Sequence, residues 1–207
     1  MEFRRPKDLL NSLGLIRGKQ NIISEQCRDT KQIRVIEDSI SKVIYLDWDN
    51  NFKHYVNYSD TRSNKFNFCY EDHLNTSRRI KEVLPFIGTK NILDYGCGQG
   101  SLIKELGKII GNERCLGLEK SQIIRKNLND LGIKTFSSLK EIDREISLIL
   151  CFHVLEHLDK PEDFLKETHC ILKKNCGQLI IEVPHANDPM IRLYKNKEFM
   201  NFTFWSQ

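Results

Sequence analysis

The chain has 207 residues and a formal net charge of +4, from 32 Lys and Arg against 28 Asp and Glu, and this length suits one catalytic domain with an extension. Charges of both signs are mixed along the chain without a long block of either, which argues against a nucleic-acid partner. The seven cysteines are scattered without a C-x-x-C pair, which argues against a disulfide framework and a zinc ribbon, so we expect a reducing cytoplasm and assign no metal site.

Residues 1–65 are predicted to form an N-terminal extension. The first ten residues are charged and lack the apolar segment of a signal peptide, and no later run reaches the roughly 18 apolar residues that cross a bilayer. We therefore expect neither export nor a membrane partner. Apolar runs at 33–36 and 43–46 flank the polar residues 37–39, which predicts a β-hairpin.

Residues 66–207 are predicted to form the main domain, in which helices and strands alternate. The first helix has apolar residues such as Ile80 and Val83 at helical spacing, and Pro85 with Gly88 is expected to end it. The expected elements are a helix at 70–86, a strand at 91–95, a helix at 101–110, a strand at 115–119, a helix at 121–131, a strand at 133–136, a helical turn at 139–143, a strand at 146–151, a helix at 161–173 and a strand at 178–183. This alternation predicts an α/β fold, a doubly wound, Rossmann-like and mostly parallel sheet with helices on both faces.

Three glycines at alternate positions follow the strand at 91–95, and a helical pattern follows them. Glycine permits a sharp turn and a close approach of a ligand to the backbone, and the helix start offers N–H groups without helical partners. A dinucleotide fingerprint that begins at Gly96 requires its third glycine at position 101, where the chain has Ser101. The glycine spacing therefore disfavours a nicotinamide-dependent oxidoreductase.

The run D-x-G-x-G-x-G instead resembles motif I of the class I S-adenosylmethionine-dependent methyltransferases, a doubly wound α/β family. A second run, F-H-V-L-E-H-L at 152–158, is similar to that of the small-molecule branch, and residues 191–205 resemble the substrate-side insertion of members found with polysaccharide biosynthesis genes. The resemblance implies S-adenosyl-L-methionine as the cofactor. It also implies a loop under the methionine part of the cofactor, made of Asp94, Gly96, Cys97, Gly98 and Gly100. The family normally adds two strands after the fifth, which implies a truncated chain that lacks the last strands.

Further cofactor contacts are expected where the next strands end. The carboxylate of Glu119 is our candidate for the vicinal ribose hydroxyls, with Lys120 beside it at the rim. The alternative is an exposed glutamate that only stabilises a helix N-terminus. The family places a polar and an apolar residue against adenine, which implies Ser138 and Leu139 here, without the usual acidic residue. Phe152 completes the cofactor-binding candidates.

The F-H-V-L-E-H-L run also supplies the catalytic candidates, His153 and His157. On a helical turn these two imidazoles share a face, with Glu156 three residues after His153. Three interpretations remain open. The histidines act as a base that accepts the acceptor's proton, or they bind a divalent ion with Glu156, as in related quinone-pathway O-methyltransferases. The third is a structural role, in which they pack and form hydrogen bonds near the cofactor.

Residues 179–190 resemble the fifth strand of the family and the turn that follows it, so His185 and Asn187 are the substrate-side candidates, although both are also typical of a turn. The loop after the fourth strand differs from the [Asp/Asn/Ser]-Pro-Pro-[Tyr/Phe] loop of nucleic-acid amine methylases. Together with the mild charge, this favours a small-molecule acceptor, a sugar or another polysaccharide precursor. A quinone-type O-methyltransferase and a non-catalytic, cofactor-binding relative are the alternatives, and the oligomeric state is left open.

Overall fold

The computed structural model describes residues 6–27, 31, 33–47, 70–158, 160–185, 188–194 and 198–199. These residues form two compact units, one from those within 1–58 and 185–207 and one from those within 59–184. The domain boundary at residue 65 stays a prediction, since it falls outside the described ranges. No helix in those ranges is long and apolar enough to cross a membrane.

Helices and strands alternate through most of the described chain. The helices are α1 (Pro6–Ser12), α2 (Tyr70–Ile87), α3 (Ser101–Ile110), α4 (Gln122–Asp130), α5 (Pro161–Leu172) and α6 (Pro189–Arg192). The strands are β1 (Gln20–Ser24), β2 (Arg34–Asp38), β3 (Ile44–Asp47), β4 (Ile92–Tyr95), β5 (Cys115–Leu118), β6 (Lys134–Phe136), β7 (Leu148–Phe152) and β8 (Gln178–Glu182). Short 3-10 turns cover Asn112–Arg114, Leu139–Glu141, Leu155–His157 and Lys173–Asn175.

The first unit contains an antiparallel sheet in the order β1-β2-β3. The predicted hairpin is confirmed, because β2 pairs with β3 in antiparallel register. Neither β1 nor α1 was predicted from the sequence. The buried carboxylate of Asp38 stabilises the end of β2 by accepting four backbone N–H groups, those of Arg17, Gly18, Ile40 and Ser41. These bonds join the hairpin turn to the segment that precedes β1.

The second unit contains a parallel sheet in the order β6-β5-β4-β7-β8. This sheet confirms the predicted doubly wound α/β fold. The order in which strands are added to the sheet reverses between β4 and β7. The strands β5 and β6 lie on one side of β4, and β7 and β8 lie on the other. Sheets of this kind bind ligands at the carboxyl ends of the strands beside such a reversal.

Both faces of this parallel sheet are covered, as predicted. One face packs against α2, α3 and α4, and its buried side chains include Val83, Ile92, Ile103, Leu128, Leu148 and Leu150. The other face packs against α5, and its buried side chains include Leu93, Leu116, Ile149 and Leu172. Burial on two faces explains why the central strands have continuous apolar runs.

The end of α2 lies one residue beyond the prediction. The helix continues through Pro85 to Ile87, directly before Gly88. A proline removes one helical hydrogen bond, and here it lies in the last turn, where little helix remains to be disrupted. Gly88 follows with a left-handed φ of 49°, which is typical of a residue that closes a helix. The other predicted elements of this unit differ from the observed bounds by at most two residues at either end.

Candidate functional site

The loop between β4 and α3 is held against the end of β5. Its alternate glycines, Gly96, Gly98 and Gly100, have left-handed φ values of 74°, 50° and 76°. The N–H of Gly96 donates to the carbonyl of Leu118 at 2.8 Å, and the N–H of Gly98 donates to Oε2 of Glu119 at 3.1 Å. Because a left-handed backbone costs other residues about 1–2 kcal/mol each, this loop requires the glycine spacing seen in the sequence.

The three glycines differ in their surroundings. A Cβ on Gly96 would lie 2.4 Å from Cγ2 of Val154, and a Cβ on Gly100 would lie 2.5 Å from Cδ2 of Leu128. These two positions therefore need a bare backbone for packing. A Cβ on Gly98 would meet no heavy atom within 4 Å, so the space beside it is open at the carboxyl end of β4. The contact with Val154 also places the segment after β7 on the glycine loop.

Glu119 lies at the end of β5 and connects three parts of the site. Its side chain is buried, with 8% of the residue exposed. Oε2 accepts the N–H of Gly98, and Oε1 accepts the N–H of Ser121 at 2.9 Å. Ser121 caps α4 by accepting the N–H of Ile124. Lys120, the residue after Glu119, is exposed, and its place at the rim of a cofactor site stays a prediction.

Asp94, a predicted cofactor-binding residue, lies in β4 just before the glycine loop and is only 5% exposed. Burial raises the pKa of its carboxyl to about 7, the charge of Arg79 lowers this pKa, and the charge of Glu119 raises it. No residue in the described part of the chain donates a hydrogen bond to this carboxylate. Burial likewise raises the pKa of the neighbouring Cys97 thiol, which therefore stays protonated.

A carboxylate that the sequence reasoning missed lies after β6. Glu141 accepts hydrogen bonds from the hydroxyl and the N–H of Ser137 and from the hydroxyl of Ser138 at 3.3 Å. The hydrogen bond from Ser137 lowers the pKa of Glu141. Leu139, the predicted apolar adenine contact, is buried in the core face that packs against α5. The signal for Glu141 was present as the S-x-x-E pattern of a capping box, beginning at Ser138.

His153 follows β7 and is held by two carboxylates. Its backbone has a left-handed φ of 55°, and its N–H donates to the carbonyl of Glu182 at 2.9 Å. Nδ1 lies 3.2 Å from Oε1 of Glu156, and Nε2 lies 3.1 Å from Oε1 of Glu182. The hydrogen bond with Glu156 raises the pKa of His153 against the opposing effect of burial.

Two arginines of α2 complete this group. Arg79 donates to Oε1 of Glu182 from Nε at 3.0 Å and from Nη2 at 2.5 Å, and Arg78 donates to Oε2 at 2.8 Å. Although burial opposes them, these hydrogen bonds lower the pKa of Glu182 to about 2. The guanidinium of Arg79 also lies 5.1 Å from the ring centroid of Phe152. Phe152, at the end of β7, therefore contacts an arginine that the sequence reasoning did not include.

The two catalytic candidates do not share a helical face. The turn after β7 covers only Leu155–His157, and His153 precedes it with its left-handed backbone, so the predicted arrangement is wrong. The exposed His157 donates its N–H to the carbonyl of Val154 at 2.9 Å. Across the described residues, no group of three or more His, Cys, Asp or Glu is arranged to hold a metal ion. The metal-ligand interpretation of this segment therefore gains no support.

The substrate-side candidates belong to a different part of the structure. His185 is grouped with the first unit, and its carbonyl accepts the N–H of Asp188 at 3.2 Å. In the same unit, Arg192 of α6 forms an ion pair with Glu37 of β2. Asn187 lies outside the described residues. The roles of His185 and Asn187 toward a substrate stay predictions.

A family model described as a methyltransferase domain matches residues 70–206. The chain belongs to this methyltransferase family. The match confirms the resemblance that the glycine loop and the F-H-V-L-E-H-L run indicated, and it covers the whole parallel sheet of the second unit.

The chain is similar to individual known proteins over only part of its length. It is 29% identical over 105 residues to apoptosis-inducing factor 1, mitochondrial, from Dictyostelium discoideum, an alignment of 49% of this chain and 19% of the relative. The solved structure of the plantazolicin methyltransferase with a pentazolic desmethylPZN analog and SAH is 21% identical, covers 59% of this chain and 49% of its own, and has a TM-score of 0.43. Magnesium protoporphyrin IX methyltransferase from Synechocystis PCC 6803 with bound SAH is 16% identical, covers 59% and 63%, and has a TM-score of 0.43. The chain thus spans less than two thirds of each of these proteins.

Proposed function

We propose that this chain binds S-adenosyl-L-methionine and transfers its methyl group to a small-molecule acceptor. The observation that carries the proposal is the open space beside Gly98, whose N–H is bound by Glu119, in the loop whose Gly96 contacts Val154 of the segment after β7. The space lies at the carboxyl end of β4, beside the reversal of strand order. Membership of the methyltransferase family supports the reaction class.

The residues around this space suit the cofactor. Gly98 leaves room for close contact with the backbone, and the first N–H groups of α3 suit a carboxylate. Each oxygen of Glu119 accepts one backbone N–H and keeps a second lone pair for the ribose hydroxyls. Burial raises the pKa of the Asp94 carboxyl to about 7, and its ionised form suits the positive groups of the cofactor. When bound, the cofactor supplies a methyl group already activated by its sulfonium.

The remaining cofactor assignments lie around this centre. We place Cys97 in the loop under the cofactor, Lys120 at the rim, Phe152 among the other cofactor contacts, and Ser138 and Leu139 toward adenine. Glu141 joins this last group as a further polar candidate, since its hydrogen bonds fix the position of Ser138. The adenine assignments are supported by their place after β6, at the same edge of the sheet as the glycine loop.

The acceptor determines whether the protein must remove a proton. A hydroxyl acceptor loses a proton as it is methylated, and an imidazole with a pKa near neutrality suits that task. Of the two catalytic candidates in the segment after β7, His157 is the one we propose for this task, because the ring of His153 lies between the carboxylates of Glu156 and Glu182. The chain otherwise contributes proximity and orientation, which account for much of the rate of a displacement whose donor is already reactive.

The acceptor we favour is a sugar or another polysaccharide precursor, with His185 and Asn187 on the substrate side and the cytoplasm as the place of the reaction. The resemblance of the run at 152–158 to small-molecule methyltransferases supports this choice, as does the absence from the sequence of the Pro-Pro loop that grips a flipped base. The mixed surface charge agrees with an acceptor other than nucleic acid.

Calorimetric titration of the purified chain with S-adenosylhomocysteine tests the proposal, with NADH as the parallel control. We expect saturable binding of S-adenosylhomocysteine and none of NADH. Transfer of a labelled methyl group to nucleotide sugars, with quinols as the comparison set, then tests the acceptor. Binding of NADH in place of S-adenosylhomocysteine would refute the cofactor assignment, and binding without transfer to any acceptor would favour the non-catalytic alternative.

A further inference from the structure

A group of charged side chains connects α2, the segment after β7 and the end of β8. It consists of Arg78, Arg79, His153, Glu156 and Glu182, and we call it the histidine clamp. The carboxylate of Glu182 contacts both arginines and the imidazole of His153, and the imidazole also contacts Glu156. The side chain of Glu182 is only 21% exposed. Arg79 and Glu182 are 103 residues apart in the chain, so their contact fixes α2 to the far end of the domain.

The contacts of His153 determine its charge. A neutral imidazole has one N–H donor and one nitrogen that only accepts, whereas an ionised carboxylate only accepts. Both ring nitrogens of His153 face carboxylate oxygens, at 3.2 Å and 3.1 Å. Glu182 stays ionised because the arginines lower its pKa to about 2, and hydrogen bonding to His153 keeps the pKa of Glu156 below its ordinary value despite burial. The hydrogen bond with Glu156 and the charge of Glu182 raise the pKa of His153 against burial and the charge of Arg79, so the two carboxylates favour an imidazolium with a proton on each ring nitrogen.

The backbone around His153 explains what the clamp holds. His153 adopts a left-handed φ of 55°, which is uncommon for any residue with a side chain. The next residue, Val154, packs so closely on Gly96 that a single added Cβ would lie 2.4 Å away. Backbone strain of this kind persists only where the surroundings hold it in place. The hydrogen bond of its side chain with Glu156, the contact of Nε2 with the carboxylate of Glu182 and the backbone N–H bond to the carbonyl of Glu182 supply that restraint.

We propose that His153 is a positioning residue, held as an imidazolium between Glu156 and Glu182. It keeps Val154 on Gly96 and so fixes the shape of the glycine loop, and it does not take a proton from the acceptor. Arg79 acts with it by holding Glu182. An acceptor that needs a base must then use another group, and an acceptor that arrives as an amine or a carboxylate needs none. The effect on cofactor binding rests on the proposed function, whereas the charge of His153 does not.

Nitrogen NMR of the full chain, labelled at its six histidines, tests the charge directly. His153→Asn identifies the resonances, since asparagine tolerates a left-handed backbone. We expect both ring nitrogens of His153 to carry protons at pH 7, and we expect Glu182→Gln and Glu156→Gln each to lower its titration midpoint, because each removes a negative charge from the imidazole. One unprotonated ring nitrogen at pH 7, or midpoints unchanged in both variants, would overturn the proposal.

Glu82→Gln is the matched control. Glu82 pairs with Arg78 as Glu182 does, but its side chain is 56% exposed and it makes no contact with His153 among those the structure describes. We expect this variant to leave the His153 midpoint and the affinity for S-adenosylhomocysteine unchanged. Glu182→Gln and His153→Asn should weaken that affinity about two- to tenfold, the effect of roughly one hydrogen bond.

The two proposals fail in different ways. If the wild-type chain does not bind S-adenosylhomocysteine, the proposed function is wrong, and the NMR result still establishes or refutes the imidazolium. If His153 is an imidazolium but His153→Asn binds S-adenosylhomocysteine as tightly as the wild type, the positioning role is wrong. Should Glu182→Gln fail to fold, Glu156→Gln gives the same test from the exposed side of the imidazole.

Discussion

Replacing Gly98 by leucine is expected to remove cofactor binding while largely preserving the fold. The new side chain would enter a space with no heavy atom within 4 Å, so steric strain within the protein is small. The left-handed φ of 50° costs about 1–2 kcal/mol for a residue with a Cβ. For a chain of this size that cost lowers the melting temperature by about 2–8 °C. Losing two or three backbone contacts to the cofactor, at about 1 kcal/mol each, weakens binding about 30- to 150-fold.

Gly88→Leu is a closely matched control for this experiment. Gly88 has a φ of 49° and also has no heavy atom within 4 Å of an added Cβ, but it follows α2 and lies outside the glycine loop. Both variants should therefore lose similar thermal stability by circular dichroism. Calorimetry with S-adenosylhomocysteine should show lost affinity for Gly98→Leu alone. Equal affinity in the two folded variants would refute the assignment of the open space to the cofactor.

Three further substitutions probe the same site. Gly96→Ala should destabilise the fold by about 2–5 kcal/mol in urea unfolding, because the strain of the left-handed backbone adds to the 2.4 Å contact of the new Cβ with Val154. Adding Val154→Ala should recover part of this loss. Purely additive effects of the two substitutions would contradict the packing argument. Glu119→Gln should weaken S-adenosylhomocysteine binding about 10- to 150-fold, the effect of charged hydrogen bonds, and unchanged calorimetric affinity would exclude a ribose role. Asp94→Asn should gain stability over the wild type as pH rises to about 7, by up to about 4 kcal/mol in urea unfolding, yet bind the cofactor less tightly. A stability difference that is constant from pH 5 to 8 would show that Asp94 does not titrate as the structure indicates.

The parts of the site that the sequence predicted are local in the chain. The turn at Gly96, Gly98 and Gly100 could be predicted because left-handed turns select glycine within a few residues of a strand end. The position of Glu119 could be predicted because parallel strands end at one edge of the sheet, so the residue after β5 must lie near the loop after β4. In both cases a short-range rule fixes the position of the residue.

The contacts that the sequence did not predict join distant segments. Arg79 meets Glu182 across 103 residues, and the helical pattern of α2 gives no reason to choose Arg79 over its other charged residues. Val154 packs on Gly96 because two loops meet above the sheet, which depends on the exact path of each. His153 was misplaced on a helical turn because its left-handed backbone is imposed by these tertiary contacts rather than by its neighbours in sequence.

Burial of the Asp94 carboxylate lowers the stability of the fold, which indicates that this residue serves ligand binding and not stability. Its pKa lies at about 7 in the folded chain and at an ordinary 3.8 when the chain is unfolded, so the unfolded state binds fewer protons between these two values. The contribution of Asp94 to the free energy of unfolding therefore falls as pH rises from about 4 to 7 and is level outside that range. The 3-unit difference corresponds to about 4 kcal/mol, a large fraction of the stability of a typical domain.

Arg79 only partly offsets this cost, since its guanidinium is hydrogen-bonded to Glu182. A structural carboxylate behaves differently, as Asp38 does, where four backbone N–H groups satisfy the charge within the protein. Because the described residues leave Asp94 without such donors, a positively charged ligand group is the natural partner for its ionised form. Opposite changes of stability and affinity in Asp94→Asn distinguish this account from a structural role, in which both quantities would fall together.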